Sequence, residues 1–99
     1  MNLTVQSIHF DADQKLVDYI TTKTEKLTRY FDRITGGEVY LKVSKPQSNN
    51  NKIVEIKLNV PGQTLFVSEQ ADTFEAAADH AINTMKTQVR RYKEKLTSH

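Results

Sequence analysis

Residues 72–96 read DTFEAAADHAINTMKTQVRRYKEKL. Phe74, Ala78, Ala81, Ile82, Met85, Val89, Tyr92 and Leu96 recur in this stretch at three- and four-residue steps, the spacing of one apolar face on a long helix. Asp72 and Glu75 have the spacing of a capping box, which predicts Asp72 as the N-cap. Charge changes along the helix. From Glu69 to Asp79 the charged residues are Glu69, Asp72, Glu75 and Asp79, with no Lys or Arg. From Lys86 to Lys95 there are five bases, Lys86, Arg90, Arg91, Lys93 and Lys95, against one acid, Glu94. Acids early and bases late complement the helix macrodipole, but that effect fades beyond the last turn and Lys86 lies upstream of it. A helix with one face on a core and bases crowded along its far half offers an array for a polyanion.

Working back from this helix, alternation marks four strands. Val54, Ile56, Leu58 and Val60 alternate with Glu55, Lys57 and Asn59, and Pro61-Gly62 signals a tight turn into a strand carrying Leu65 and Val67. Val39, Leu41 and Val43 form another strand, and Leu3, Val5 and Ser7 a first one. Asp13 caps a helix whose face carries Leu16, Val17, Ile20, Thr24, Leu27 and Phe31. Thr35-Gly36-Gly37 is expected to end that helix through left-handed residues. The polar segment Lys45-Pro46-Gln47-Ser48-Asn49-Asn50-Asn51 is expected to be a mobile turn.

The order is therefore β-α-β-β-β-α. Each strand has one apolar face, so the predicted fold is α+β, a two-layer sandwich with both helices on one face of a four-stranded sheet, like a double-stranded-RNA-binding domain. The first two strands should be parallel through a right-handed crossover, and the last three an antiparallel meander. A ferredoxin-like plait fits worse, because three strands separate the helices and none follows the last one.

Ninety-nine residues with 37% hydrophobic content predict a single domain spanning 1–99 with one modest core. The net charge of +2 is too small to signal a partner by itself, so the positions of the charges carry the information. With no cysteine, disulfides and thiolate metal sites are excluded and a reducing cytoplasm is the expected location. The first residues have neither a basic n-region nor an apolar run, and no window approaches eighteen apolar residues, so neither a signal peptide nor a membrane span is expected.

Lys26, Arg29 and Arg33 make a second basic row on the first helix, continued upstream by Thr22 and Tyr19. Asp18, Glu25 and Asp32 run beside it, so part of this pattern is an ordinary solvated face whose pairs are worth a few tenths of a kcal/mol. Two helices side by side on a sheet would align their basic rows about 10 Å apart, within reach of phosphates flanking an RNA groove. Catalysis finds no support. His9, His80 and His99 are scattered, and the three glycines form no phosphate loop. A calcium loop counted from Asp11 would need Gly and Glu where Leu16 and Thr22 stand. Asp13 reads as a cap, His9 as a loop residue, and Glu69 and Asp79 as helix-end charges. The chain is expected to be a non-enzyme with no cofactor and no metal.

Leu16-Val17-Asp18-Tyr19-Ile20, continuing through Lys26-Leu27-Thr28-Arg29-Tyr30-Phe31-Asp32, resembles the first helix of the ribosome hibernation promoting factor family. The segments 71–79 and Gln88-Val89-Arg90-Arg91-Tyr92-Lys93-Glu94-Lys95-Leu96 resemble its second helix, and Asn59-Val60-Pro61-Gly62 its last hairpin. The resemblance spans essentially the whole chain and implies the fold reached above. It also implies a function: binding to the small ribosomal subunit and its 16S rRNA in the decoding channel under starvation or in stationary phase, which blocks messenger and transfer RNA and inhibits translation. By position, the implied RNA contacts are Lys26, Arg29 and Arg33 on the first helix and Lys86, Arg90, Arg91 and Lys93 on the second. The chain lacks the additional C-terminal dimerisation domain of the long family form and the acidic tail of the ribosome-associated inhibitor branch. It is thus expected to be a short form, monomeric away from the ribosome, with a separate ribosome modulation factor as a further partner.

Two other readings stay open on the sequence. A generic double-stranded-RNA module shares the arrangement of two helices on one sheet face, although Asp72 and Glu75 stand where such a module would carry lysines. A protein-interaction domain would instead use the open sheet face, lined by Tyr40, Lys57 and Phe66.

Overall fold

The computed structural model describes residues 2–45 and 49–97. The elements are β1 (Asn2–Ser7), α1 (Gln14–Tyr30), β2 (Gly36–Val43), β3 (Lys52–Val60), β4 (Gln63–Ala71) and α2 (Phe74–Thr97). The sheet order is β1-β2-β3-β4, parallel between β1 and β2 and antiparallel between the others, as the alternation predicts.

Register puts one set of side chains against the helices. Val5, Val39, Ile56 and Val67 stand opposite one another across the four strands. Val39, Leu41, Val54, Ile56 and Leu58 are fully buried, together with Ile20 of α1 and Ala77, Ala81, Met85 and Val89 of α2. Each large apolar side chain removed from water in this layer contributes about 1.5–3 kcal/mol. The run of small residues Ala77, Ala78 and Ala81 lets α2 lie close to the sheet. Tyr92 is also buried; its ring meets Phe31 edge-on at 5.6 Å and its hydroxyl donates to the Pro61 carbonyl, tying α2 to the β3–β4 hairpin. In that hairpin Val60 pairs with Gln63 across Pro61-Gly62, and Gly62 has φ +85°. Proline followed by a left-handed glycine is the pairing a type II turn requires.

Four expectations are corrected. Gly36 and Gly37 do not end α1: they open β2, and neither has positive φ. The helix stops instead at Phe31, whose φ of −145° leaves the helical region, and burial of Phe31 and Ile34 turns the chain under the sheet. Gly37 is needed for close approach, since a Cβ there would lie 2.6 Å from Leu58 Cδ2 and 2.9 Å from the Lys57 carbonyl. The cap of α2 is Thr73, not Asp72. Thr73 Oγ1 accepts from Ala76 N at 3.0 Å, while Asp72 accepts from Asn50 N at 2.7 Å and so ties down the preceding loop. Leu96 is 37% exposed and falls off the apolar face. Arg33 lies beyond the end of α1, in the turn to β2.

Asp13 caps α1 as expected, accepting from Lys15 N at 3.5 Å. Of the polar segment 45–51, Pro46, Gln47 and Ser48 lie outside the described residues, as does His99. Its flanks are tied: Ser44 N donates to Asn51 O at 2.9 Å, and buried Asn51 donates to Lys45 O at 3.1 Å.

Candidate nucleic-acid interface

The two helices run side by side in the same direction. Near their starts, Tyr19 donates to Asp79 Oδ1 at 2.9 Å; near their ends, the Lys93 ammonium sits 4.6 Å from the centre of the Tyr30 ring. Because the helices are parallel, their C-terminal halves converge at one end of the molecule, where the bases of both sequences are concentrated. That end also carries the negative poles of both helix dipoles, which favours bases there.

Between the helices lies an open groove of about 270 Å³ lined by Lys23, Lys26, Asp79, Ile82, Asn83 and Lys86. Lys23 and Lys26 come from the face of α1 turned toward α2, one turn apart. Lys86 stands opposite them, two turns beyond Asp79 on α2. Three ammonium groups thus surround a groove whose lining includes one acid, Asp79, and that carboxylate accepts from Tyr19. The hydrogen bond to Asp79, followed by burial, pushes the Tyr19 hydroxyl above its ordinary value of 10.0.

Farther along, Arg33 and Lys93 line a second cleft of about 280 Å³ with Phe31 and Leu96. Arg29 and Arg90 are exposed on the outer surfaces of their helices. Arg91 is separated from this group. A step of one residue turns an α-helix by about 100°, so Arg91 faces the other flank of α2 and lines a shallow pocket with Gln63, Leu65, Gln88, Tyr92 and Lys95. The structure therefore brings Lys26 with Lys86, and Arg33 with Lys93, and sets Arg91 apart.

Sequence reasoning missed Lys23 and Tyr30. Lys23 was detectable, because it sits four residues after Tyr19 and three before Lys26 on the row already identified. Tyr30 carried no comparable signal. Glu69, read as a helix-end charge, sits on the core side of β4 and accepts from Thr84 Oγ1 of α2 at 3.1 Å. Among the described residues, no cluster of three or more His, Cys, Asp or Glu side chains could hold a metal ion, and no helix is long and apolar enough to cross a membrane.

On the opposite side, the open sheet face carries Glu38, Tyr40, Lys42, Glu55, Lys57 and Phe66. Lys42 pairs with Glu55 at 2.8 Å, Ser68 donates to Glu55 at 3.4 Å, and Tyr40 donates to Glu38. That bond to Glu38 raises the Tyr40 hydroxyl above its ordinary 10.0.

Comparison with known proteins agrees with this architecture. The chain is 32% identical over 99 residues to a ribosome hibernation promoting factor of Salmonella typhimurium, covering all of both chains. It is 30% identical over 98 residues to the protein of that name from Pseudomonas putida, covering 99% of this chain and 92% of the relative. The crystal structure of the Thermus thermophilus Protein Y N-terminal domain superposes with a TM-score of 0.77 at 27% identity, covering 93% of this chain and 99% of that one. A ribosomal subunit interface protein from Coxiella burnetii shares the fold, with a TM-score of 0.84 at 20% identity over 94% of this chain and 98% of that one. The family model described as Sigma 54 modulation protein / S30EA ribosomal protein matches residues 3–97, and the chain belongs to that family.

Proposed function

We propose that this protein is a ribosome hibernation factor that binds the small ribosomal subunit through the basic end of its helix pair. The observation that carries the reading is the convergence of Lys23, Lys26 and Lys86 on one interhelical groove, with Arg29, Arg33, Arg90 and Lys93 beyond it. Parallel helices concentrate Arg29, Arg33, Arg90 and Lys93 at one end, while Asp13, Asp18 and Glu75 stay at the other, with the groove of Lys23, Lys26, Asp79 and Lys86 between them. Such a polar molecule is drawn to RNA by one end and held off by the other. Family membership and the relatives' names support the ribosomal context.

The proposed seat is the decoding channel, with contacts to 16S rRNA phosphates, so that the bound protein excludes messenger and transfer RNA. It acts by occupancy, without a chemical step, as a cytoplasmic monomer; a separate modulation factor would assist any pairing of ribosomes. A generic double-stranded-RNA module is disfavoured by the placement of charge, since Glu75 and Asp79 hold the N-terminal end of α2.

The test is stoichiometric. Added at one-tenth of the ribosome concentration to a translating extract, the protein should silence no more than about a tenth of the activity, as mass action on a one-to-one site requires. Salt washing should restore that fraction, and excess initiator transfer RNA with messenger should reduce it. Progressive, wash-resistant loss of activity would refute occupancy as the mechanism. Sucrose-gradient fractionation of starved cells should place the protein with small subunits and whole or paired ribosomes, and finding it only at the top would refute the ribosomal reading.

A further inference from the structure

Among the described residues, three large apolar side chains are exposed: Tyr30 at 44%, Phe66 at 50% and Leu96 at 37%. Phe66 stands alone on the open sheet face. Tyr30 and Leu96 lie at the convergent basic ends of the two helices; Leu96 lines a cleft with Phe31, Arg33 and Lys93, and Lys93 reaches over the Tyr30 ring. The Lys93 ammonium is 4.6 Å from the Tyr30 ring centre and 5.8 Å from that of Phe31. A cation over the ring steadies it from one side, yet nearly half of the Tyr30 surface remains in water.

An aromatic side chain held half exposed among cations has a clear chemical fit. Its ring offers a stacking face, while Arg29, Arg33 and Lys93 can meet phosphates on either side. A duplex cannot use such a ring, because its bases are already stacked on one another; an unpaired nucleotide can. We infer that Tyr30 is a base-stacking residue: a single unpaired RNA nucleotide stacks on the ring face that Lys93 leaves open, with its phosphates held by Arg29, Arg33 and Lys93.

This deepens the proposed function and rests on the basic end being an RNA-binding surface. The interhelical groove then holds backbone, while the open face of Tyr30 distinguishes unpaired from paired RNA. A single stacked base gives affinity for exposed nucleotides without reading their sequence, since every base has a stacking face.

The full chain contains no tryptophan, so Tyr30→Trp places a single indole reporter at the site. The variant is titrated with an unstructured single-stranded RNA oligonucleotide, with an RNA duplex of equal phosphate number, and with isolated small subunits. Single strand and small subunit should quench the indole emission, and the duplex should leave it nearly unchanged. Tyr30→Leu should weaken binding to the first two by about five- to a hundredfold, with Tyr30→Phe close to wild type and the same salt dependence in all three proteins. Because Tyr30 is partly exposed, the folded circular dichroism spectrum should persist in each variant. Unchanged affinity in Tyr30→Leu, or equal quenching by the duplex, would overturn the stacking site. The two readings separate cleanly. Stacking on the oligonucleotide without small-subunit binding would remove the ribosomal function and keep the site. Small-subunit binding that ignores Tyr30→Leu would keep the function and remove the site.

Discussion

On the open sheet face Lys42 pairs with Glu55 at 2.8 Å, Glu55 also accepts from Ser68, and Tyr40 donates to Glu38, so that acids and bases are interspersed and partly paired. On the helix side Lys23, Lys26 and Lys86 surround one groove with Asp79 as the acid in its lining, and that acid is engaged by Tyr19. Both surfaces are built from ordinary exposed residues of a small α+β sandwich. They differ in whether opposite charges were placed within reach. A face that mixes acids with bases has little net charge for a polyanion, whereas gathered like charges cost self-repulsion unless a partner offsets it. The contrast supports the proposed interface on the helices, with the sheet as a solvated back.

The strongest way to break this comparison is charge reversal on each face. Lys26→Glu with Lys86→Glu should weaken small-subunit binding by about a hundredfold or more, and Arg90→Glu with Lys86→Glu should do likewise. All three side chains are exposed, so the thermal midpoint should barely move. Lys57→Glu on the sheet face should leave binding near wild type, and Arg91→Glu, on the far flank of α2, should have the smallest effect among the candidate bases. Equal losses from Lys57→Glu and the groove variants, measured by co-sedimentation, would erase the distinction between the faces.

Core substitutions sharpen it from the other side, by changing stability without touching the bases. Leu58→Ala should cost about 2–5 kcal/mol in chemical denaturation, because Leu58 is fully buried on β3. Gly37→Ala should cost about 1–3 kcal/mol, since its Cβ must displace the Leu58 side chain and the Lys57 backbone. At temperatures where both variants stay folded, small-subunit affinity should match wild type.

The smallest expected effect belongs to the Tyr19–Asp79 contact that closes the acidic end of the groove. Tyr19→Phe should cost about 0.5–1.5 kcal/mol. Tyr19 and Tyr40 both have hydroxyls raised above 10.0. In the unfolded chain they ionise near 10, so the folded state holds their protons more tightly. Their contribution is fully present below pH 10 and is lost as pH rises through the folded values. Ultraviolet titration should show Tyr19 and Tyr40 ionising above 10, with Tyr19→Phe removing one of these late steps.

The strands and both helices were readable because one face of each is buried, which imposes a period of two or of three to four on the sequence. What failed were local signals with two physical uses. Gly36-Gly37 read as a helix end because glycine serves left-handed turns, but here it serves close approach, and only the position of Leu58 decides between them. Asp72 and Thr73 can both cap a helix, and the choice is made by Asn50, twenty-two residues away in the chain. Arg33 was assigned to α1 by continuing a periodic row past Phe31, where the backbone had already left the helix. Arg90 and Arg91 look equivalent in sequence, yet one helical step sends them to different flanks. Tyr30 could not be singled out because its surroundings are assembled from both helix ends.

The most direct measurement of the central claim is the salt dependence of binding to isolated small subunits. About six phosphate contacts from the converging bases predict that the logarithm of the binding constant falls against the logarithm of salt concentration with a slope of roughly −4 to −5. Lys26→Glu with Lys86→Glu should make that slope shallower by about two contacts' worth. A slope near zero, or one unchanged by the double reversal, would contradict an RNA interface at the basic end of the helices.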